Sequence, residues 1–195
     1  MTSNKLIKIG SDLLKKNNIK SHLIDAELIL SSISGQTREN FLTNTKTKLN
    51  SKQIESFNKL IQRRALRKEP IAYLLHNREF WSLKLNIDKN VLIPRPETEE
   101  LVDLVLQHID TSIYGCILDI GTGSGCIAIA LKKFTNHEIF AIDYSNSILN
   151  IASNNAKVDL TSLPLVTIVI SIPLILSTLS KLISGNIICS LIPKV

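Results

Sequence analysis

Seven residues, Asp119-Ile120-Gly121-Thr122-Gly123-Ser124-Gly125, put three glycines at alternate positions and narrow what the rest of the chain can build. Glycine has no Cβ, so the backbone can turn sharply there and a ligand can approach main-chain amides at a helix N-terminus. The apolar run before the turn, Cys116 to Ile120, reads as a short buried strand, and Ser124 to Lys133 reads as the helix after it. Glu138 to Asp143 is a second strand and Ser147 to about Lys157 a second helix, so the order is βαβα and the class is α/β. Asp143 stands 22 residues after Gly121, where a strand-terminal carboxylate can accept both hydroxyls of an adenosine ribose.

Tight strand-to-helix packing would by itself explain the glycines. The strand before them, the helix after them and the acid ending the next strand together point to a nucleotide-type ligand. A dinucleotide site uses G-x-G-x-x-G and keeps an apolar residue ahead of the first glycine. Here the run is D-x-G-x-G-x-G, and Asp119 can meet a ligand ammonium, which S-adenosylmethionine has and NAD lacks.

Upstream, the first seventy residues read as all-helical. Leu6, Ile9, Leu13 and Leu14 recur at near-helical spacing within Ser3 to Asn17, and Asp25 to Ser34 is a second helix stopped by Gly35. Ser51 is expected to cap a third helix with the stripe Ile54, Phe57, Leu60 and Ile61, and Arg63, Arg64, Arg67 and Lys68 suit its C-terminal dipole. The period then becomes two: Trp81, Leu83, Leu85 and Ile87 alternate with polar residues, Asp88-Lys89-Asn90 supplies a turn, and Val91 to Ile93 is expected to return as a second strand. Pro94 and Pro96 hold the backbone extended before a helix with Glu97, Glu99 and Glu100 in its first turn, ending near Ile109.

The net charge of +6 is uneven: residues 1–80 hold fifteen Lys/Arg against seven Asp/Glu, residues 81–157 six against nine. Such a basic segment suits RNA or an acidic protein surface, and equally a solvated helix face; no base-reading motif accompanies it. Cys116, Cys126 and Cys189 have no metal-ligand spacing, and with no secretory signal among residues 1–10 they imply a reducing, cytoplasmic setting. His22, His76, His108 and His137 are scattered without partners at ligand spacing. No residue emerges as a metal ligand, and no Ser/His/Asp or Cys/His set as a catalyst.

Several segments together resemble the protein-(glutamine-N5) methyltransferases that modify peptide chain release factors. They are Asp25-Ala26-Glu27-Leu28, Arg63-Arg64, Glu69-Pro70-Ile71-Ala72-Tyr73-Leu74, Glu79-Phe80-Trp81, Leu92-Ile93-Pro94-Arg95-Pro96-Glu97-Thr98-Glu99, Ile117 to Ile129 and Asn154-Asn155-Ala156. The Ile-Pro-Arg-Pro-Glu-Thr-Glu segment is the most specific, since other methyltransferases share the glycine turn but not that sequence. The resemblance implies a helical release-factor-docking domain over 1–78, a β-hairpin linker over 79–93, and the first part of a Rossmann-like methyltransferase domain over 94–157. It implies S-adenosyl-L-methionine as cofactor, held by Asp119, Gly121, Thr122, Gly123, Ser124, Gly125 and Asp143. Pro94, Arg95, Pro96, Glu97 and Thr98 would lie beside the cofactor and the substrate glutamine, the partner would be a release factor, and the protein would be a monomer.

Two departures stand out. His76 occupies a position where the family usually has glycine, so a turn preferring positive φ is expected there with the wrong residue. The family's active-site motif, Asn-Pro-Pro-Tyr, is absent, and with it the carbonyl groups that would accept the two amide protons and aim the nitrogen; no catalytic residue is assigned. Instead residues 158–195 form an apolar tail in which 20 of 38 positions are Ile, Leu or Val, as expected if the reading frame has slipped after about Lys157 and the domain is left incomplete. The 21 uncharged residues from Leu160 to Ser180 are long enough to span a bilayer, but prolines and many Ser and Thr interrupt them, and no membrane role is expected. The alternative to an enzyme is a non-catalytic remnant that binds cofactor or release factor only.

Overall fold

The computed structural model describes residues 1–43, 47–110, 115–159, 167–169 and 187–188, and the chain divides into two units, Met1–Leu75 and His76–Val195. Among the described residues the first holds five helices: α1 (Ser3–Lys16), α2 (His22–Ser34), α3 (Arg38–Thr43), α4 (Ser51–Arg67) and α5 (Ile71–Leu75). Leu6, Gly10 and Leu14 lie four residues apart, so α1 turns one face inward, and the core it meets is Ala26, Ile29 and Leu30 of α2 with Phe57, Ile61 and Ala65 of α4. A Cβ on Gly10 would stand 2.6 Å from Phe57 Cζ, so the glycine lets α1 close onto the buried ring despite its cost in helix propensity.

Gly35 ends α2 at φ 68°, donating its N–H to Ser31 O as expected of a C-terminal glycine. The cap of α4 is Asn50, not Ser51: Gln53 N donates to Asn50 Oδ1 at 2.8 Å and Gln53 Oε1 accepts from Asn50 N at 3.0 Å. Three residues beyond Asn50 stands a glutamine able to reciprocate, whereas three beyond Ser51 stands Ile54. Helices α3 and α5, six and five residues long, are too short to show a period. Arg64, expected to favour the end of α4, reaches across to α2: its Nε donates to Asp25 Oδ2 at 2.7 Å, with the Asp25 side chain 3% exposed.

In the second unit a hairpin, β1 (Asn77–Phe80) and β2 (Leu83–Asn86), precedes α6 (Glu97–His108), β3 (Cys116–Ile120), α7 (Cys126–Phe134), β4 (Glu138–Ile142), α8 (Asn146–Asp159), β5 (Thr167–Val169) and β6 (Ile187–Ile188). The hairpin is therefore set earlier than 79–93, and Trp81–Ile87 is not its first strand. Trp81 and Ser82 form the two-residue turn at φ 50° and 60°, both left-handed as the twist of a tight hairpin requires, and Phe80 pairs with Leu83. Asp88–Asn90 does turn, with Asn90 N on Asp88 Oδ1 at 2.8 Å, but Val91 to Ile93 continue without forming a strand.

The larger sheet runs β5-β4-β3-β6, all parallel. Its central strands bury Ile117, Leu118, Ile139 and Ala141, while Ile129 and Leu131 of α7 and Leu149 and Ala152 of α8 are buried among the helices beside it. The tail thus contributes strand: β5 lies on β4 along Phe140–Ile142 and β6 on β3 along Cys116 and Ile117. The segment 160–180 lies outside the described residues apart from β5, and none of the described helices is long and apolar enough to cross a membrane.

His76 adopts φ 55°, exposed, with its carbonyl accepting from Ile87 N at 3.2 Å. The left-handed turn is kept and the residue bears its strain, about 1–2 kcal/mol for a side chain in that region. Glycine would remove it but costs up to about 1 kcal/mol in unfolded-state entropy. His76→Gly is expected to stabilise the second unit by about 0.5–1 kcal/mol. Urea unfolding followed by emission of Trp81, the chain's one tryptophan, reads this directly, and a lowered midpoint would contradict it.

Candidate functional site

The glycine turn leaves the end of β3 and enters α7 with Gly121, Gly123 and Gly125 at φ 77°, 58° and 82°. No residue with a Cβ adopts three such values cheaply. The two later glycines serve different ends. A Cβ on Gly125 would meet Ile129 Cδ1 at 3.1 Å and Ala152 Cβ at 3.2 Å, so this glycine lets α8 close on the turn. One on Gly123 would meet nothing nearer than Gly121 O at 4.0 Å, so that face of the turn is bare and open.

The acids hold the turn. Asp143, just after β4, accepts Gly123 N on Oδ2 at 3.0 Å and Tyr144 N on Oδ1 at 2.8 Å, leaving each oxygen with capacity to accept again. Asp119 is 5% exposed and accepts the Thr122 hydroxyl on Oδ2 at 2.7 Å. Thr122 and Ser124 are buried. The turn's amides are largely spent inside the protein: Gly121 N and Thr122 N both donate to Ile142 O, Gly123 N to Asp143 and Gly125 N to Thr122 O. What the turn offers a ligand is bare backbone surface and the partly exposed Asp143 carboxylate, with Asp119 buried behind Thr122, rather than the row of free amides that a glycine turn at a helix start suggests.

Pro94 to Thr98 leads into α6. Pro94 is buried and Arg95, Pro96 and Glu97 are exposed; Thr98 N donates to Arg95 O at 3.0 Å, and α6 packs on α7, the helix the turn opens. Among the described residues no hydrogen bond joins Pro94–Thr98 to the glycine turn. So the structure brings Asp119, the turn and Asp143 together, and the proline segment leads into the helix that packs on α7.

Three residues assigned no role from the sequence matter here. Trp81 is tied down by Glu99 Oε1, which accepts its N–H at 3.1 Å, by Asp103 Oδ1, which accepts Nε1 at 3.2 Å, and by the edge-on Phe134 ring with centroids 4.5 Å apart. A cleft of about 630 Å³ opens beside it, lined by Arg78, Trp81, Ser82, Glu99, Lys133 and Phe134, and none of the turn's residues lines it. Tyr144, next to Asp143, is 88% exposed, and a large aromatic so exposed beside a strand-terminal acid is the only signal it carries. Asn155 is completely buried, and only its place inside the segment Asn154-Asn155-Ala156 sets it apart in sequence.

Cys126, the first residue of α7, is buried, and burial pushes its thiol up from 9.0 to about 11; the Ser124 hydroxyl beside it opposes the shift and the Asp119 charge adds to it. The folded chain thus holds this proton more tightly than the unfolded chain. Its contribution to stability is complete below about pH 9 and lost as pH rises through 11, about 2–3 kcal/mol in all. The drop in unfolding free energy between pH 9 and 11 should be smaller in Cys126→Ala than in the unsubstituted chain by about 2 kcal/mol; equal drops would refute the assignment. Among the described residues no group of His, Cys, Asp and Glu is arranged to hold a metal ion.

A parallel sheet whose central strand runs into a glycine turn, with an acid ending the neighbouring strand, makes the second unit a partial Rossmann-like domain of the methyltransferase kind. Family models agree: residues 5–75 match the PrmC N-terminal domain and residues 99–195 match Ribosomal protein L11 methyltransferase (PrmA), a match that includes the apolar tail. The chain is 41% identical over 150 residues to the release factor glutamine methyltransferase of Buchnera aphidicola subsp. Acyrthosiphon pisum, covering 76% of this chain and 53% of that protein. It is 42% identical over 139 residues to that of Coxiella burnetii, covering 71% and 50%. Among solved structures the METTL16 MTase domain matches with a TM-score of 0.37 and 22% identity over 72% of this chain and 54% of that one, too slight a likeness to carry an argument.

The chain belongs to the release factor glutamine methyltransferase family. It spans about half the length of the curated relatives it matches.

Proposed function

We propose that this chain takes S-adenosyl-L-methionine into the glycine turn and serves methyl transfer to the side-chain amide nitrogen of a glutamine in a peptide chain release factor. The observation that carries the reading is the bare face at Gly123, whose N–H is held by Asp143, in the turn that Asp119 braces through Thr122. The residues fit such a group. The turn would pass around its methionine part, Asp143 would accept ribose hydroxyls on its remaining lone pairs, and Asp119 would face the ammonium. When bound, the cofactor supplies a sulfonium methyl group. An amide nitrogen is a weak nucleophile, so the protein's part is to hold it in line, and Pro94–Thr98 is assigned to the side where glutamine enters. The first unit is assigned to docking of the release factor, in a cytoplasmic, monomeric protein.

One sequence fact favours a second reading, in which cofactor or release factor binds without transfer. Among the described residues the fourth strand of the sheet in chain order is β6, and the residues following it in the sequence are Cys189-Ser190-Leu191-Ile192-Pro193, not Asn-Pro-Pro-Tyr. Calorimetric titration with S-adenosylhomocysteine and with NAD tests the pocket: heat with the first and none with the second is expected, and the reverse refutes the assignment. Transfer of labelled methyl from S-adenosylmethionine to a purified release factor then separates the two readings, since binding without labelling leaves only the second.

A further inference from the structure

Asn155 of α8 is 0% exposed, and its carboxamide is bonded on both sides. Nδ2 donates to Ser124 O in the glycine turn at 2.9 Å and to Asn86 O in β2 at 2.9 Å, while Oδ1 accepts from Asn86 N at 2.8 Å. Toward β2 the side chain thus stands in for the peptide group of a further strand, satisfying both backbone groups of Asn86. Toward the turn it fixes the carbonyl of Ser124, next to Gly125, whose missing Cβ admits Ala152 one turn earlier on the same helix. The other end of the hairpin is anchored separately, Trp81 bonding to Glu99 and Asp103 of α6. A four-residue strand held at both ends has little room to move independently of what holds it.

We propose that Asn155 is a positioning residue that couples the glycine turn to the hairpin, so that the two stiffen or loosen together and a ligand held in the turn is felt at β2. The ligand part of this rests on the reading of the turn as an S-adenosyl site; the coupling itself does not. Aspartate at this position keeps the shape and the Oδ1 acceptor but loses both donated bonds and turns an anion toward two carbonyl oxygens. Glycine in place of Ser82 suits the second position of the hairpin turn, at φ 60°, and should stiffen the hairpin without touching the glycine turn.

The test is amide hydrogen exchange by NMR on the full chain, unsubstituted and as Asn155→Asp, Ser82→Gly and the double variant, with Leu118 of β3 reporting opening of the whole sheet. Asn155→Asp should speed exchange at both Gly123 and Asn86 about tenfold or more, with Leu118 changed far less. Ser82→Gly should slow Gly123 about threefold when Asn155 is present and not in the Asn155→Asp background, which a merely structural role for Asn155 would not produce. Gly123 slowed equally in both backgrounds, or in neither, overturns the coupling. If Asn155→Asp fails to fold, Ser82→Gly alone decides, an unchanged Gly123 overturning it. Saturating S-adenosylhomocysteine should slow Asn86 about tenfold in the unsubstituted chain. Binding without slowing overturns the transmission to β2, whereas no binding counts against the cofactor site and leaves the ligand-free arms to decide.

Discussion

Replacing Arg64 by methionine is expected to destabilise the first unit by about 3–5 kcal/mol. The Asp25 carboxylate is nearly sealed from water, and Arg64 is its one side-chain partner among the described residues. Methionine fills similar space, so packing is largely kept while a charge is left buried without compensation. The guanidinium also donates to Glu69 O at 3.0 Å, tying the end of α4 to the approach to α5, and that bond goes too. Changing both members, Asp25→Leu with Arg64→Met, should recover most of the loss, because it is the orphaned charge that costs, not the missing pair. Helical circular dichroism against urea measures both. A loss below about 1 kcal/mol for Arg64→Met would mean that the pair behaves as an exposed one.

The second large effect separates Gly123 from its near neighbour Gly125. Gly123→Ala should cost about 1–2 kcal/mol of stability, from left-handed strain alone, since its Cβ meets nothing. That methyl would occupy the bare face of the turn, so affinity for S-adenosylhomocysteine should fall about a hundredfold or more. Gly125→Ala carries the same strain and adds crowding against Ile129 and Ala152, for about 2–4 kcal/mol in total. Paired calorimetry and thermal denaturation check the contrast. If Gly123→Ala bound as tightly as the unsubstituted chain, the open face would not be where the ligand lies.

Much of the second unit could be read from residues alone because its signals are local. The apolar run 116–120, the three glycines and the acid at 143 are each visible within a few positions, and β3, α7, β4 and α8 lie where their periods put them. The hairpin was displaced for a physical reason: its turn uses Trp81-Ser82 where asparagine-glycine is the readable signal, and Trp81 is held there by α6 and α7. Asn155 and Asn86 are 69 residues apart, and Asp25 and Arg64 are 39 apart, so the bonds joining them leave no periodic trace. The inward use of the turn's amides was equally hidden, because it depends on Ile142 O and Asp143 arriving from the next strand.

The strand order β5-β4-β3-β6 has a geometric outcome of its own. From β3 the chain lays down β4 and β5 outward in one direction, then returns to add β6 on the opposite flank, so its direction of growth reverses at β3. Connections leaving neighbouring parallel strands part company at such a reversal, and a crevice opens above their carboxyl ends. The glycine turn follows β3, the strand at which the order reverses, so its place in the sheet is set by connectivity and not by the turn's own residues.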